Sequence, residues 1–213
     1  MRRRNVKHAG ERLEKCGELM VNNPEELKGK WQSIFPKQQK LYLEIGMGKG
    51  QFLLGNAVKN PQINYLGLEK YDSVIVQAAE KITPLELNNI HLLNKDAGNL
   101  LDYFDKGELD GIFLNFSDPW PKARHAKRRL TSKYFLEKYK EILKDDAFIA
   151  FKTDNLPLYE YSLESFKDNG YKVVEQSLNL HTEFSDVITT EYEDRFSKKG
   201  NPIYYVKVVL EKE

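Results

Sequence analysis

The chain has a single cysteine, Cys16, among 213 residues, so no intrachain disulfide can staple it. No apolar run approaches the ~20 residues that a membrane span needs. There is no excess of charge of one sign either, with 33 Lys and Arg against 32 Asp and Glu. A cationic patch in such a chain is therefore a local feature, not a reflection of overall charge. Arg2, Arg3 and Arg4 open the chain, but no apolar stretch follows them, which excludes a secretory signal. Internal repeats and low-complexity segments are also missing. The expectation is one soluble, cytoplasmic domain over residues 1–213, long enough for a full core.

Residues 1–30 are polar and weakly periodic, and are expected to form a basic N-terminal arm, either a mobile tail or a nucleic-acid contact. Trp31, Ile34 and Phe35 should dock this segment, and Pro36 should end it. The first strong strand is 41–45, running directly into Gly46-Met47-Gly48-Lys49-Gly50. A helix with Leu53, Leu54, Ala57 and Val58 on one face follows. Strand, glycine turn and helix open a nucleotide-binding α/β fold. The second strand, 63–68, ends in Glu69, which lies 19 residues after Gly50, where a carboxylate reaches the hydroxyls of a ribose. Tyr71, Ile75, Ala78, Ala79 and Ile82 have helical spacing. The third strand, 90–94, ends in Asp96.

Three acids, Glu44, Glu69 and Asp96, thus rim one edge. The spacing G-x-G-x-G differs from the G-x-G-x-x-G that holds a pyrophosphate. S-adenosylmethionine carries no phosphate, but bears a sulfonium and an ammonium. An acidic rim suits it better than it suits a dinucleotide.

The fourth strand, 109–116, delivers the most informative stretch. Asp118 follows a serine, and Pro119 and Pro121 flank Trp120, so the backbone has few conformations to lose. From Lys122 to Lys133 there are six Lys or Arg and one His, with no acid. A carboxylate and an aromatic face followed by a cationic strip suit a base in a pocket with its phosphates outside. A helix over 131–144 should bury Phe135, Tyr139, Ile142 and Leu143. The fifth strand, 147–151, leads to Asp154 and Asn155, either of which can cap the next helix. A strand over 171–180, an unpatterned connection over 182–188, a short helix over 189–196 and a last strand over 202–210 complete the chain. The last two strands are expected to be antiparallel. On that short helix, Glu191 with Arg195 and Asp194 with Lys198 are i,i+4 pairs.

Four motifs together resemble the bacterial tRNA (guanine-N7-)-methyltransferase family. They are Glu44-Ile45-Gly46-x-Gly48-x-Gly50, Asn115-Phe116-Ser117-Asp118-Pro119-Trp120-Pro121-Lys122, Arg124-His125-x-Lys127-Arg128-Arg129 and Thr190-Glu191-Tyr192-Glu193. The resemblance runs from about Trp31 onward, and the second and third motifs are its specific part. It implies S-adenosylmethionine as methyl donor and guanosine 46 of the tRNA variable loop as acceptor. It implies cofactor contacts at Glu44, Gly46, Gly48, Glu69, Asp96 and Asp118. It implies RNA or guanosine contacts at Lys122, Arg124, His125, Lys127, Arg128, Arg129, Asp154, Thr190, Glu191, Tyr192 and Glu193. The implied fold is a Rossmann-like methyltransferase sheet, mostly parallel and seven-stranded, with an antiparallel last strand. The partner would be tRNA and not DNA, the chain a monomer or homodimer, and no metal is implied.

The chemistry is consistent with that family. Guanine N7 has a free lone pair and no proton to lose, so alignment and charge stabilisation matter more than a general base. Asp118 is the candidate catalytic residue: it could accept from the guanine Watson–Crick edge, or hold the cofactor instead. Three other readings stay open. Asp118-Pro119-Trp120 resembles the D-P-P-W loop of amino-group methyltransferases, with one proline where that loop has two. A nicotinamide-dependent oxidoreductase and a non-catalytic RNA-binding protein are the others.

Overall fold

The computed structural model describes residues 6–197 and 200–211. Arg2, Arg3, Arg4 and Lys198, which carry expectations above, lie outside the described residues. In chain order the elements are α1 (Ala9–Glu14), β1 (Lys40–Ile45), α2 (Gln51–Lys59), β2 (Ile63–Leu68), α3 (Asp72–Ile82), β3 (Ile90–Leu93), α4 (Leu100–Tyr103), β4 (Leu109–Asn115), α5 (Lys133–Ile142), β5 (Leu143–Thr153), α6 (Leu156–Asp168), β6 (Tyr171–Ser177), α7 (Leu180–Glu183), α8 (Glu191–Ser197) and β7 (Tyr204–Leu210).

The strands form one seven-stranded sheet in the order β3-β2-β1-β4-β5-β7-β6. β1 to β5 pair in parallel, as strands joined by helical crossovers must, and β7 runs antiparallel to both of its neighbours. The near-continuous apolar runs of β1, β2 and β4 fit burial on both faces. One face packs Leu43, Leu66, Ile112, Phe151 and Trp31 with α5 and α6. The other packs Met47, Leu53, Tyr65, Ile75 and Ala79 with α1 to α3. Strand order reverses between β1 and β4, and the carboxyl ends of both open on one crevice, where open α/β sheets bind ligands.

Several boundaries differ from the sequence expectation. The 131–144 helix is shorter at both ends. Thr131 is buried with its hydroxyl on Ser162 and its carbonyl accepting from Ser165, the buried Ser132 donates its hydroxyl to the Lys127 carbonyl, and Leu143 and Lys144 already belong to β5. β6 stops at Ser177, and the single turn of α7 runs from the expected end of that strand into the start of the unpatterned connection. Val58 is exposed, because α2 buries Phe52, Leu53 and Ala57 instead. Within the expected arm, residues 9–20 dock: Ala9, Leu13, Cys16 and Met20 are buried against the α3 side. Arg12 makes a two-bond ion pair with Glu80 there, and the Val21 amide donates to the Leu92 carbonyl. Trp31 is fully buried, stacks on Phe104 and donates its indole N–H to the Tyr103 carbonyl at 2.9 Å.

Gly67, in the middle of the sheet, positions the glycine turn. A Cβ there would lie 2.2 Å from Met47 Sδ and 2.5 Å from a Leu53 methyl. Met47 is inside the turn and Leu53 begins the packing of α2. Gly67→Ala should therefore overpack the sheet, lowering stability by about 1–3 kcal/mol in urea unfolding. The same shift should displace the turn and weaken ligand binding there.

Candidate active site

The glycine turn is built from three residues with left-handed backbone, Gly46, Gly48 and Gly50, at φ of 73°, 60° and 76°. Above Gly46 and Gly48 an added Cβ would meet nothing within 4 Å. The main chain at these positions is open to a ligand, and a side chain would fill that space. The turn is tied to the end of β2: the Gly48 amide donates to Glu69 at 3.2 Å, and the Tyr71 amide donates to the other Glu69 oxygen at 3.0 Å. Asp96 caps the turn after β3 through the Gly98 amide and meets Lys70 at 2.6 Å.

Glu44 is buried at the end of β1. One carboxylate oxygen accepts from the Asn115 side chain at 2.8 Å, and the other has no hydrogen-bond partner among the described residues. An orphan carboxylate oxygen in a buried position is costly unless a cation or donor joins it. The amino end of α2 is already served by an anion of the protein itself. Glu191 accepts from the Gln51 amide at 3.3 Å and pairs with Lys81 at 2.9 Å. A pyrophosphate at that helix end would have to displace a carboxylate, which argues against a dinucleotide.

The Asp118 loop leaves β4 through Phe116 at φ 49° and passes Trp120 at φ 42°. Both are non-glycine residues in the left-handed region, so neighbours must hold the loop in place. Asp118 itself is exposed and makes no hydrogen bond or ion pair among the described residues. Two turns of 3₁₀ helix, Ala123–Arg128, carry the cationic strip. Lys122, Arg124, Lys127 and Arg128 are exposed on it, with no carboxylate partner among the described residues. His125 sits edge-on to Trp120 at 5.7 Å, and Arg128 lies over the same ring at 4.9 Å. Arg129 turns inward and donates to the carbonyls of Pro119 and Trp120.

α8 closes the crevice from the other side. Thr190 and Glu193 form a reciprocal capping box: the Glu193 amide donates to Thr190 Oγ1 at 3.0 Å, and the Thr190 amide donates to Glu193 Oε2 at 3.2 Å. Glu193 is fully buried and paired with the buried Lys152 at 2.8 Å. His181 Nε2 stands 3.0 Å from its other oxygen, close enough for attraction but not aligned as a hydrogen bond. Tyr192 bridges the two sides of the crevice. Its hydroxyl donates to Asp154 at 2.8 Å, and its ring meets Phe116 at 5.0 Å. The cap of α6 is Asn155, whose side chain accepts from the Leu158 amide at 2.8 Å, which leaves Asp154 for Tyr192. The Glu191–Arg195 pair expected on α8 gives way to Glu191 bonding Gln51 and Lys81.

The structure thus gathers Glu44, Gly46, Gly48, Glu69 and Asp96 along the edge made by β1, β2 and β3. Asp118, Asp154 and Tyr192 lie on the β4, β5 and α8 side. It turns the carboxylates of Glu191 and Glu193 toward the protein, not toward the opening. Lys152, Asn115 and Gln51 had not been singled out in the sequence. Lys152 carried a weak signal, since it follows an apolar strand, and a lysine buried there needs a carboxylate.

A family described as "Putative methyltransferase" matches residues 38–206. A tRNA (guanine-N(7)-)-methyltransferase of Bacillus cytotoxicus is 48% identical over 208 residues, covering 97% of this chain and 96% of that protein. Among solved structures, the 16S rRNA methyltransferase KamB superposes with a TM-score of 0.67 at 14% identity, over 86% of this chain and 94% of that one. A SAM dependent methyltransferase from Aquifex aeolicus does so with 0.57 at 16% identity, over 96% of this chain and 100% of that one. These two likenesses carry the fold. With its glycine turn, acidic rim, Asp118 loop and capped α8, the chain belongs to the tRNA (guanine-N7-)-methyltransferase family.

Proposed function

We propose that this chain methylates N7 of guanosine 46 in the variable loop of tRNA. The observation that carries the reading is Asp118: an unpaired, solvent-facing carboxylate on a conformationally fixed loop. It sits between an acid-rimmed glycine turn and a turn of unpaired cations. The name of the 48% identical relative supports the same acceptor atom.

The cofactor is S-adenosylmethionine, which supplies a methyl group already activated on a sulfonium. The residues present fit it. Glu44 offers a buried carboxylate oxygen in want of a cation, the Gly46 and Gly48 main chain lies open, and Glu69 and Asp96 offer acceptors along the rim. The protein's own part of the chemistry is positional. N7 has no proton to give up, so no residue need act as a base. Asp118 can accept from the guanine N1–H and 2-amino group, and its charge stabilises the positive charge that develops on the purine. Lys122, Arg124, Lys127 and Arg128 hold phosphates outside the crevice.

Transfer of labelled methyl from S-adenosylmethionine to bulk tRNA, with DNA and protein as controls, tests the reading. tRNA carrying 7-deazaguanosine at position 46 should bind and accept no label. Methylation of that substrate at the normal rate would rule out N7. Glu69→Ala should weaken cofactor binding by roughly 2–4 kcal/mol, because it removes charge-assisted bonds.

Glu44 predicts a pH dependence. Burial above all pushes its carboxyl up to about 8, against the opposing pull of Asn115 and Lys152. A folded-state value raised above the unfolded one contributes stability that is full below the usual carboxylate range and lost as pH rises through about 8. Glu44→Gln stays neutral and escapes that loss. Without cofactor, urea unfolding at pH 5 and pH 8.5 should show the variant gaining on the wild type by ~1 kcal/mol or more at the higher pH. Saturating cofactor should narrow the gap, since a bound cation favours the ionised carboxylate. A gap independent of pH would mean that Glu44 is ionised throughout.

A further inference from the structure

The two adjacent arginines that end the cationic strip have different environments. Arg128 is exposed, and its only described contact is the face of Trp120. Arg129 is half-buried. Its Nε donates to the Pro119 carbonyl at 3.0 Å and its Nη2 to the Trp120 carbonyl at 3.1 Å. Its guanidinium carbon also lies over the ring of Tyr161 of α6, 4.2 Å from the centroid. The Arg129 backbone is fixed as well, with its amide donating to Ala126 and its carbonyl accepting from Ser132 at the start of α5.

We propose that Arg129 is a positioning residue that holds the Asp118 loop, and that it is not a phosphate contact. The proposal rests on the methyl-transfer reading above. The loop has a specific need for such a residue. Pro119 and Pro121 have no amide hydrogen, so the loop cannot bond to itself at those positions. Trp120, between them, is held at a left-handed φ of 42°. The two successive carbonyls of Pro119 and Trp120 take their donors from Arg129, at a fixed separation. A planar guanidinium supplies two N–H groups in that geometry, and an ammonium does not. Tyr161 supplies the platform, so the loop is referred to α6 and the body of the sheet, not to the mobile end of a surface side chain. Asp118 is one residue from the first of these carbonyls, and its aim depends on them.

The test separates holding the loop from binding RNA. Arg129→Lys keeps the charge and loses the fork, and Tyr161→Leu removes the platform without touching any charge. Three quantities are read for each: the rate at saturating tRNA, the salt dependence of tRNA affinity, and acrylamide quenching of tryptophan fluorescence. Only Trp31 and Trp120 contribute to the last, and Trp31 is fully buried, so quenching reports Trp120. Both variants should lose tenfold or more in rate and show increased quenching, with the salt slope unchanged. Arg129→Gln should keep that slope too, whereas each lost phosphate contact makes it shallower by about 0.9. A shallower slope for Arg129→Gln overturns the proposal, as does unchanged quenching in Arg129→Lys and Tyr161→Leu. Quenching needs no substrate. A wild type that methylates no tRNA would defeat the functional reading and leave the quenching result to decide the role of Arg129.

Discussion

The site depends on one buried ion pair, Lys152 with Glu193. Lys152 ends β5 with its side chain out of water, and it has a carboxylate from α8 at 2.8 Å, the Ile188 carbonyl at 3.1 Å and the face of Phe52 beneath it. Burial pulls the lysine down from its usual value, and the carboxylate of Glu193 opposes that pull. Such a pair adds little to stability compared with an apolar substitute, but removing one partner leaves a charge stranded and costs ~3–5 kcal/mol. What it supplies is registration. It fixes α8 to the sheet edge beside Glu44, so the acidic rim and the helix that closes the crevice share one electrostatic centre.

The Asp118 loop uses the opposite strategy. It is held not by buried charge but by backbone that can take few shapes and by an arginine that satisfies its carbonyls. Two non-glycine residues in left-handed conformation cost on the order of 1–3 kcal/mol each, a cost offset by the surrounding contacts. The result is a carboxylate that is exposed yet does not wander. Exposure leaves Asp118 open to solvent, and a fixed backbone spares the entropy that a flexible loop would lose on binding a ligand.

Most of the sheet was legible in the sequence because β1, β2, β4 and β5 are apolar runs and glycines mark the turn after β1. The acids at the strand ends were legible for the same reason, as chemistry placed where strands stop. What stayed hidden needed contacts between distant residues. Nothing local shows that Arg129 reaches back to Pro119 and Trp120 or lies on Tyr161. Glu191 reads in the sequence as a partner of Arg195, and both Glu191 and Glu193 as RNA or guanosine contacts, because their partners, Gln51, Lys81 and Lys152, lie on other elements. Two signals were present but weak. Ala9, Leu13, Cys16 and Met20 fall at i, i+4, i+7 and i+11, although the helix they imply is too short to stand out. Thr190-x-x-Glu193 is a capping-box pattern, but without the fold it cannot be told from a charged cluster.

The antiparallel insertion of β7 has a consequence for how the protein can change over evolutionary time. β6 ends and β7 begins at the same edge, with Tyr204 beside Thr153 at the end of β5. The described residues between them, 178–197 and 200–203, belong to a single excursion laid over the crevice and anchored at both ends by the sheet. The glycine turn and its acids are encoded in the first half of the chain, and this excursion is encoded near its end. The two can diverge at different rates: replacement of one contiguous segment by another that keeps a carboxylate for Lys152 would give the crevice a new wall while β1 to β5 and the rim that they carry stay as they are.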